Sequence, residues 1–150
     1  MDQFKKTTPL TGKDVLNMEI GDTIFDFSTL IQYSKIPGSK NWAGENYIIR
    51  NTPQKGINWI GNYPKPLAVI IKTTGKYPKD NEKQYTLEKR NGHVNETINS
   101  NKVLTNQPKY KYPILYFRQE GKKYRLIGKY SVDKIFKEEV TLIPFEENKT

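Results

Sequence analysis

Pro113-Ile114-Leu115-Tyr116-Phe117-Arg118-Gln119-Glu120-Gly121-Lys122-Lys123-Tyr124-Arg125-Leu126-Ile127-Gly128-Lys129-Tyr130 reads as two β-strands around a tight turn. Residues 113–118 and 123–130 are rich in branched and aromatic side chains that suit a pleated surface. Gln119-Glu120-Gly121-Lys122 between them is a glycine-containing connection of hairpin length. The second strand alternates. Tyr124, Leu126, Gly128 and Tyr130 fall on one face; Lys123, Arg125 and Lys129 fall on the other, with Ile127 the single apolar member of that charged row. One face is therefore expected to pack and the other to be cationic.

Outward from this hairpin, similar short runs recur: Thr23-Ile24-Phe25-Asp26-Phe27, Tyr47-Ile48-Ile49, Ile57-Asn58-Trp59-Ile60, Leu67-Ala68-Val69-Ile70-Ile71, Gln84-Tyr85-Thr86-Leu87 and Val140-Thr141-Leu142-Ile143. Each is bounded by Gly, Pro, Asn or Asp, the residues that end strands. Residues 11–18 suit one short helical turn. Ser28 is expected to cap a two-turn helix over residues 29–33. Residues 34–46, with Pro37, Gly38, Ser39, Asn41 and Gly44 around Trp42, read as a loop. The fold class that follows is α+β: a twisted, barrel-like, mostly antiparallel sheet of about six to eight strands with two short helices. At 150 residues the chain is one domain's worth. The expected division is a frayed N-terminus over residues 1–10, one domain over 11–146 and a polar tail over 147–150.

Twenty-five basic side chains against 16 acidic ones give a net charge of +9, which favours a polyanionic partner. Most of the surplus lies in residues 102–134, where nine cations (Lys102, Lys109, Lys111, Arg118, Lys122, Lys123, Arg125, Lys129, Lys134) face two acids, Glu120 and Asp133. Tyr110, Tyr112 and Tyr116 are interleaved with them, a pattern that fits phosphate neutralisation beside aromatic contacts and equally fits a solvated sheet face. No cysteine is present and only one histidine, which excludes disulfides, thiolate metal sites and zinc sites built on several imidazoles. No cofactor is expected. Nor is a membrane partner, because no run of about 18 apolar residues occurs; the expectation is a soluble, cytoplasmic protein.

Enzyme templates fit poorly. His93, in Asn91-Gly92-His93-Val94-Asn95, reads as a loop residue with no nucleophile elbow or triad spacing around it. Glu120-Gly121-Lys122 has the letters of a carboxylate–lysine nuclease core but sits at a hairpin tip. Gly-rich phosphate loops are absent. Binding is thus favoured over catalysis.

Read in order, Ile20-Gly21-Asp22-Thr23, a helix at 27–33, Gln54-Lys55-Gly56-Ile57-Asn58, the core strand 68–72, Tyr77-x-x-Asp80, Tyr85-Thr86, the polar segment 91–101 running into Asn101-Lys102-Val103-Leu104, and Tyr124-x-x-x-Gly128-x-Tyr130 resemble an SRA-type domain of the PUA-like superfamily. That family comprises the modified-cytosine readers of eukaryotic methylation proteins and modification-dependent restriction endonucleases. Two positions depart from its pattern: Leu87 stands where the family has the glycine of Tyr-Thr-Gly, and the glycine-rich stretch after it is reduced to residues 90–95.

The resemblance implies non-catalytic recognition of double-stranded DNA that carries 5-methylcytosine or a bulkier 5-substituted cytosine. One nucleotide would leave the helix for a pocket, at a cost of a few kcal/mol. Tyr77 and Tyr85 would stack on the base, Asp80 would accept from its exocyclic amine, and Thr86 would complete the polar rim. Gln54, Lys55, Gly56, Asn58, His93 and Asn95 would reach the grooves. Trp42, Asn101, Lys102, Arg118, Lys123, Arg125 and Lys129 would meet the phosphate backbone, while Trp59 belongs to the core. Such a module serves as the specificity part of a host-defence nuclease, its partner domain or subunit, or stands alone. Three other readings stay open: a PUA-like RNA binder using the same basic hairpin, a metal-dependent nuclease using Asp80 with Glu82 or Glu88, and a phage-encoded interaction protein.

Overall fold

The computed structural model describes residues 9–74, 84–95 and 98–145. Its central feature is a parallel pair, β4 (Ala68–Thr73) beside β8 (Ile114–Glu120), in an otherwise antiparallel eight-stranded sheet. A parallel pair needs a long crossover. Here the crossover carries β5 (Gln84–Thr86), the small hairpin β6 (Lys89–Arg90) and β7 (His93–Val94), and helices α3 (Asn99–Thr105) and α4 (Gln107–Tyr110). On one side of the pair lie β3 (Ile57–Ile60) and β2 (Ile49–Arg50); on the other lie β9 (Lys123–Ile135), β10 (Glu139–Pro144) and β5, with β1 (Thr23–Phe25) paired to the start of β9. The sheet is twisted and does not close.

Both faces of the central strands are buried, so β3, β4 and β8 read as nearly continuous apolar runs. Their alternate residues feed two cores. Ile60, Ala68, Ile70, Leu115 and Phe117 face Val15 of α1 (Gly12–Leu16) and Phe27, Leu30 and Ile31 of α2 (Phe27–Tyr33). Ile57, Trp59, Val69, Ile71, Ile114 and Tyr116 face Val103 and Leu104 of α3, together with Tyr112. Trp59 is therefore core, as its setting among isoleucines implied. The Tyr112 hydroxyl donates to the Val103 carbonyl at 2.8 Å, and burial holds its pKa well above the usual phenol range.

The β8–β9 hairpin forms around Gly121 and Lys122, with Gly121 at φ +64°, the left-handed conformation that the first position of a II′ turn requires. Its predicted two-faced pattern fails at one point. The register shifts between Tyr116 and Phe117, which pair with Gly128 and Leu126, so Ile127 is an inserted bulge residue. An extra residue reverses the side-chain parity of everything after it. Tyr124 and Leu126 pack into the first core, whereas Tyr130 and Val132 pack into the second. The cationic row is split accordingly: Lys123 and Arg125 lie on the α3 face, while Lys129, opposite Leu115, lies on the α2 face. Gly128 has its own reason, because a Cβ there would meet the Tyr130 ring at 2.7–2.8 Å, and that ring packs edge-on against Tyr116.

Three further local expectations are corrected. The cap of α2 is Asp26, whose carboxylate accepts from the Thr29 amide, so the helix starts two residues before 29 and Ser28 lies inside it. Among the described residues four α-helices form rather than two; α3 and α4 are mostly polar in sequence and are held by a few buried side chains, Val103, Leu104 and Gln107 among them. His93 sits on a strand, since Asn91 (φ +56°) and Gly92 (φ +81°) make a tight hairpin turn. Among the described residues no helix is long and apolar enough to cross a membrane.

Candidate nucleic-acid interface

Strand β5 lies at the end of the sheet path, yet the curl of the sheet brings it back towards the loop that precedes β3. A methyl group placed on Gly56 would stand 3.5 Å from the Tyr85 hydroxyl and 3.4 Å from the Lys72 carbonyl. Between loop and strand is a cavity of about 420 Å³ lined by Lys55, Gly56, Tyr85, Thr86, Glu88 and Asn101, among others. Its volume falls within the roughly 300–1,000 Å³ usual for small-ligand sites. Five residues singled out in the sequence, Lys55, Gly56, Tyr85, Thr86 and Asn101, thus meet at one place from three separate segments.

The loop is built from within. Asn58 is fully buried on the α2 face of β3, and its amide donates to the carbonyls of Arg50 (2.9 Å) and Thr52 (3.1 Å). Lys72 reaches the Pro53 carbonyl at 2.8 Å with its ammonium over the Phe27 ring; burial lowers its pKa to about 8. At Gly56 itself the backbone φ is not positive and an added methyl would make ordinary contacts. Packing does not demand a glycine there.

The opposite wall is held by Asn101, which is 3% exposed. Its Oδ1 accepts from the Glu88 amide at 2.8 Å, and its Nδ2 donates to the carbonyls of Glu88 (2.9 Å) and Asn95 (2.7 Å). Glu88 then accepts from the Ser100 hydroxyl at 2.8 Å and pairs with Lys55 at 2.9 Å, joining the two walls across the cavity. Lys89 pairs with Glu138 at 3.2 Å. The cavity's cations are therefore engaged by carboxylates. Ser100 was not singled out in the sequence, and Glu88 was considered there only as a nuclease carboxylate; Glu88 stands two residues after the end of β5, past the buried Leu87.

The remaining expected residues are placed as follows. Tyr77 and Asp80 lie outside the described residues. Tyr85 is half-buried against the second core and Thr86 is exposed. Gln54, Lys55 and His93 are exposed, and Asn95 is half-buried with its carbonyl taken by Asn101. Two assignments are corrected: Asn58 and Asn101 are buried and spend their side chains on backbone groups, so neither reaches a groove or a phosphate. Trp42 is half-buried. Lys102 lies on α3 with its ammonium 5.6 Å from the Tyr63 ring centre.

Arg118, Lys123 and Arg125 share the α3 face with the cavity. Gly56 is hydrogen-bonded to Lys72, Thr73 pairs with Arg118, and Arg118 pairs with Arg125. Strand spacings of about 4.8 Å then put Arg118 and Arg125 on the order of 10–15 Å from the Gly56 loop. Arg125 is partly committed: its Nε donates to both Glu120 oxygens at 3.0 Å and its Nη1 to the Gly21 carbonyl at 2.7 Å. That bidentate pair holds the Glu120 carboxyl below its usual range.

No protein-family model matches the chain, and no curated protein matches it. Among solved structures it is similar to the DNA modification-dependent restriction endonuclease AspBHI, at 16% identity and a TM-score of 0.44, over 64% of this chain and 66% of that one. The chain thus spans just under two-thirds of that protein's length.

Proposed function

We propose that this chain is a reader of modified DNA, taking an extruded 5-substituted cytosine into the cavity between the Gly56 loop and Tyr85–Thr86. The carrying observation is that cavity, which gathers residues picked out by the ordered SRA-type resemblance from distant parts of the chain. In this reading Tyr85 stacks on the base and Thr86 lines its polar edge. Glu88, an acceptor already fixed by Ser100 and Lys55, receives the exocyclic amine. The bare backbone at Gly56 admits close approach of the nucleic acid where the fold itself leaves room for a methyl group. Arg118 and Lys123 hold the flanking phosphates from the same face.

The test is a titration of the protein with a duplex carrying one 5-methylcytosine and with its unmodified twin, at moderate salt. The methylated duplex should bind about tenfold tighter, the discrimination one buried methyl group supplies. Tyr85→Ala should abolish that preference. Equal affinity for both duplexes, or stronger competition by single-stranded RNA than by the methylated duplex, overturns the reading.

A further inference from the structure

A second cavity, of about 380 Å³, lies on the other side of Asn101. Its walls are apolar and aromatic: Leu87 and Val94 line it together with Tyr63 and Phe136. Phe136 stands half exposed at the β9–β10 turn, where its amide donates to the Glu139 carbonyl at 2.8 Å. Exposed aromatic surface at the mouth of a cavity carries a solvation cost that a bound apolar plane would remove.

The polar groups at this cavity differ from those at the first. Lys102 and Lys137 both line it, and among the described residues neither forms an ion pair; the Lys102 ammonium lies over the Tyr63 ring. The Asn106 side chain, also lining, forms no hydrogen bond among the described residues. In the first cavity, by contrast, Lys55 and Lys89 are neutralised by Glu88 and Glu138. Two ammonium groups and an amide that the described residues leave unpaired, with two aromatic rings around one space, match a planar heterocycle that carries an anionic group.

We infer that this second cavity is a nucleotide site: the base lies against Phe136 and Tyr63 with its edge towards Asn106, and the phosphate is held by Lys102 and Lys137. The ligand chemistry is that of a nucleoside phosphate, supplied either free or as an unpaired nucleotide of a strand. The inference does not rest on base extrusion into the first cavity. Loss of the methylcytosine preference with nucleotide binding intact would remove that reading and leave this one.

The experiment titrates the full chain with deoxycytidine 5′-monophosphate and with deoxycytidine, by calorimetry and by NMR of the Leu87 and Val94 methyl groups. The monophosphate should shift those methyls. Removing the phosphate, or replacing Lys102→Gln, should weaken binding about tenfold, the value of a charge-assisted contact. Phe136→Ala, at an exposed position, should weaken it comparably, whereas Lys122→Gln at the far hairpin tip should change it less than about twofold. A single-stranded trinucleotide that outcompetes the monophosphate identifies the strand as the source, and one that fails identifies the free nucleotide; both uphold the site. Unmoved Leu87 and Val94 methyls at millimolar nucleotide, or equal losses from Lys102→Gln and Lys122→Gln, would overturn it.

Discussion

Replacing Asn101 by alanine separates a clamp from a contact. The side chain makes three hydrogen bonds of 2.7–2.9 Å inside a site where it is 3% exposed. Deletion removes the acceptor of the Glu88 amide and the Nδ2 donor shared by the Glu88 and Asn95 carbonyls, of which the Glu88 carbonyl keeps the Asn95 amide at 3.4 Å. Each buried group left unsatisfied costs about 1–3 kcal/mol; with water reaching part of the space, the expected total is about 3 kcal/mol. Residues 88 and 95, which Asn101 ties together, are the two ends of the β6–β7 hairpin, and the Glu88 end lines the cavity. Urea unfolding should therefore show a lower midpoint with an unchanged slope, and the folded variant should bind the methylated duplex more weakly than wild type. Asn101→Asp, which keeps one acceptor but sets a carboxylate against two carbonyls, should be no better. A stability loss below about 0.5 kcal/mol together with a flatter salt dependence of DNA binding would refute the clamp, since that is the signature of a lost phosphate contact.

Gly12 packs against the Tyr47 carbonyl, and a Cβ there would overlap backbone that has nowhere to go, so Gly12→Ala should lower stability by about 1–3 kcal/mol in thermal or urea unfolding. Lys72 has its pKa lowered from 10.5 to about 8 by burial, so above pH 8 the unfolded chain holds more protons at this site than the folded one. Stability from this group should rise between pH 8 and 10.5; the difference between wild type and Lys72→Met over that window measures it, and parallel profiles would refute it. The bulge at Ile127 puts Lys123 and Lys129 on opposite faces. Lys123→Gln should therefore reduce the salt slope of duplex binding by about 0.9, while Lys129→Gln should leave it unchanged.

Alternation and turn chemistry made the sheet legible, because β3, β4 and β8 are short apolar runs whose ends coincide with Gly, Pro or polar residues. The bulge was not legible. Ile127 breaks the charged row there, but one apolar residue does not by itself declare an insertion; the partner strand decides it, through Tyr116 facing Gly128 and Phe117 facing Leu126. Helices α3 and α4 escaped a composition-based reading for a related reason, as their few buried apolar side chains are fixed by the sheet rather than by a periodic stripe of their own. At the site, Gly56, Lys55, Tyr85 and Thr86 were identifiable by kind and order. The roles of Asn58 and Asn101 were not, because an asparagine that clamps backbone and one that reads a groove look the same until burial is known. Glu88 was considered only as a nuclease carboxylate, because the partners that place it in the cavity wall, Ser100 and Lys55, are far from it in sequence.

The most direct test of the central claim is the fluorescence of a 2-aminopurine placed beside a single 5-methylcytosine in a duplex. Extrusion of the methylated base unstacks its neighbour, so emission should rise when the protein binds, stay flat with the unmethylated duplex, and stay flat with Thr86→Arg, whose side chain would occupy the cavity. Tight binding of the methylated duplex without any rise in emission would contradict the account.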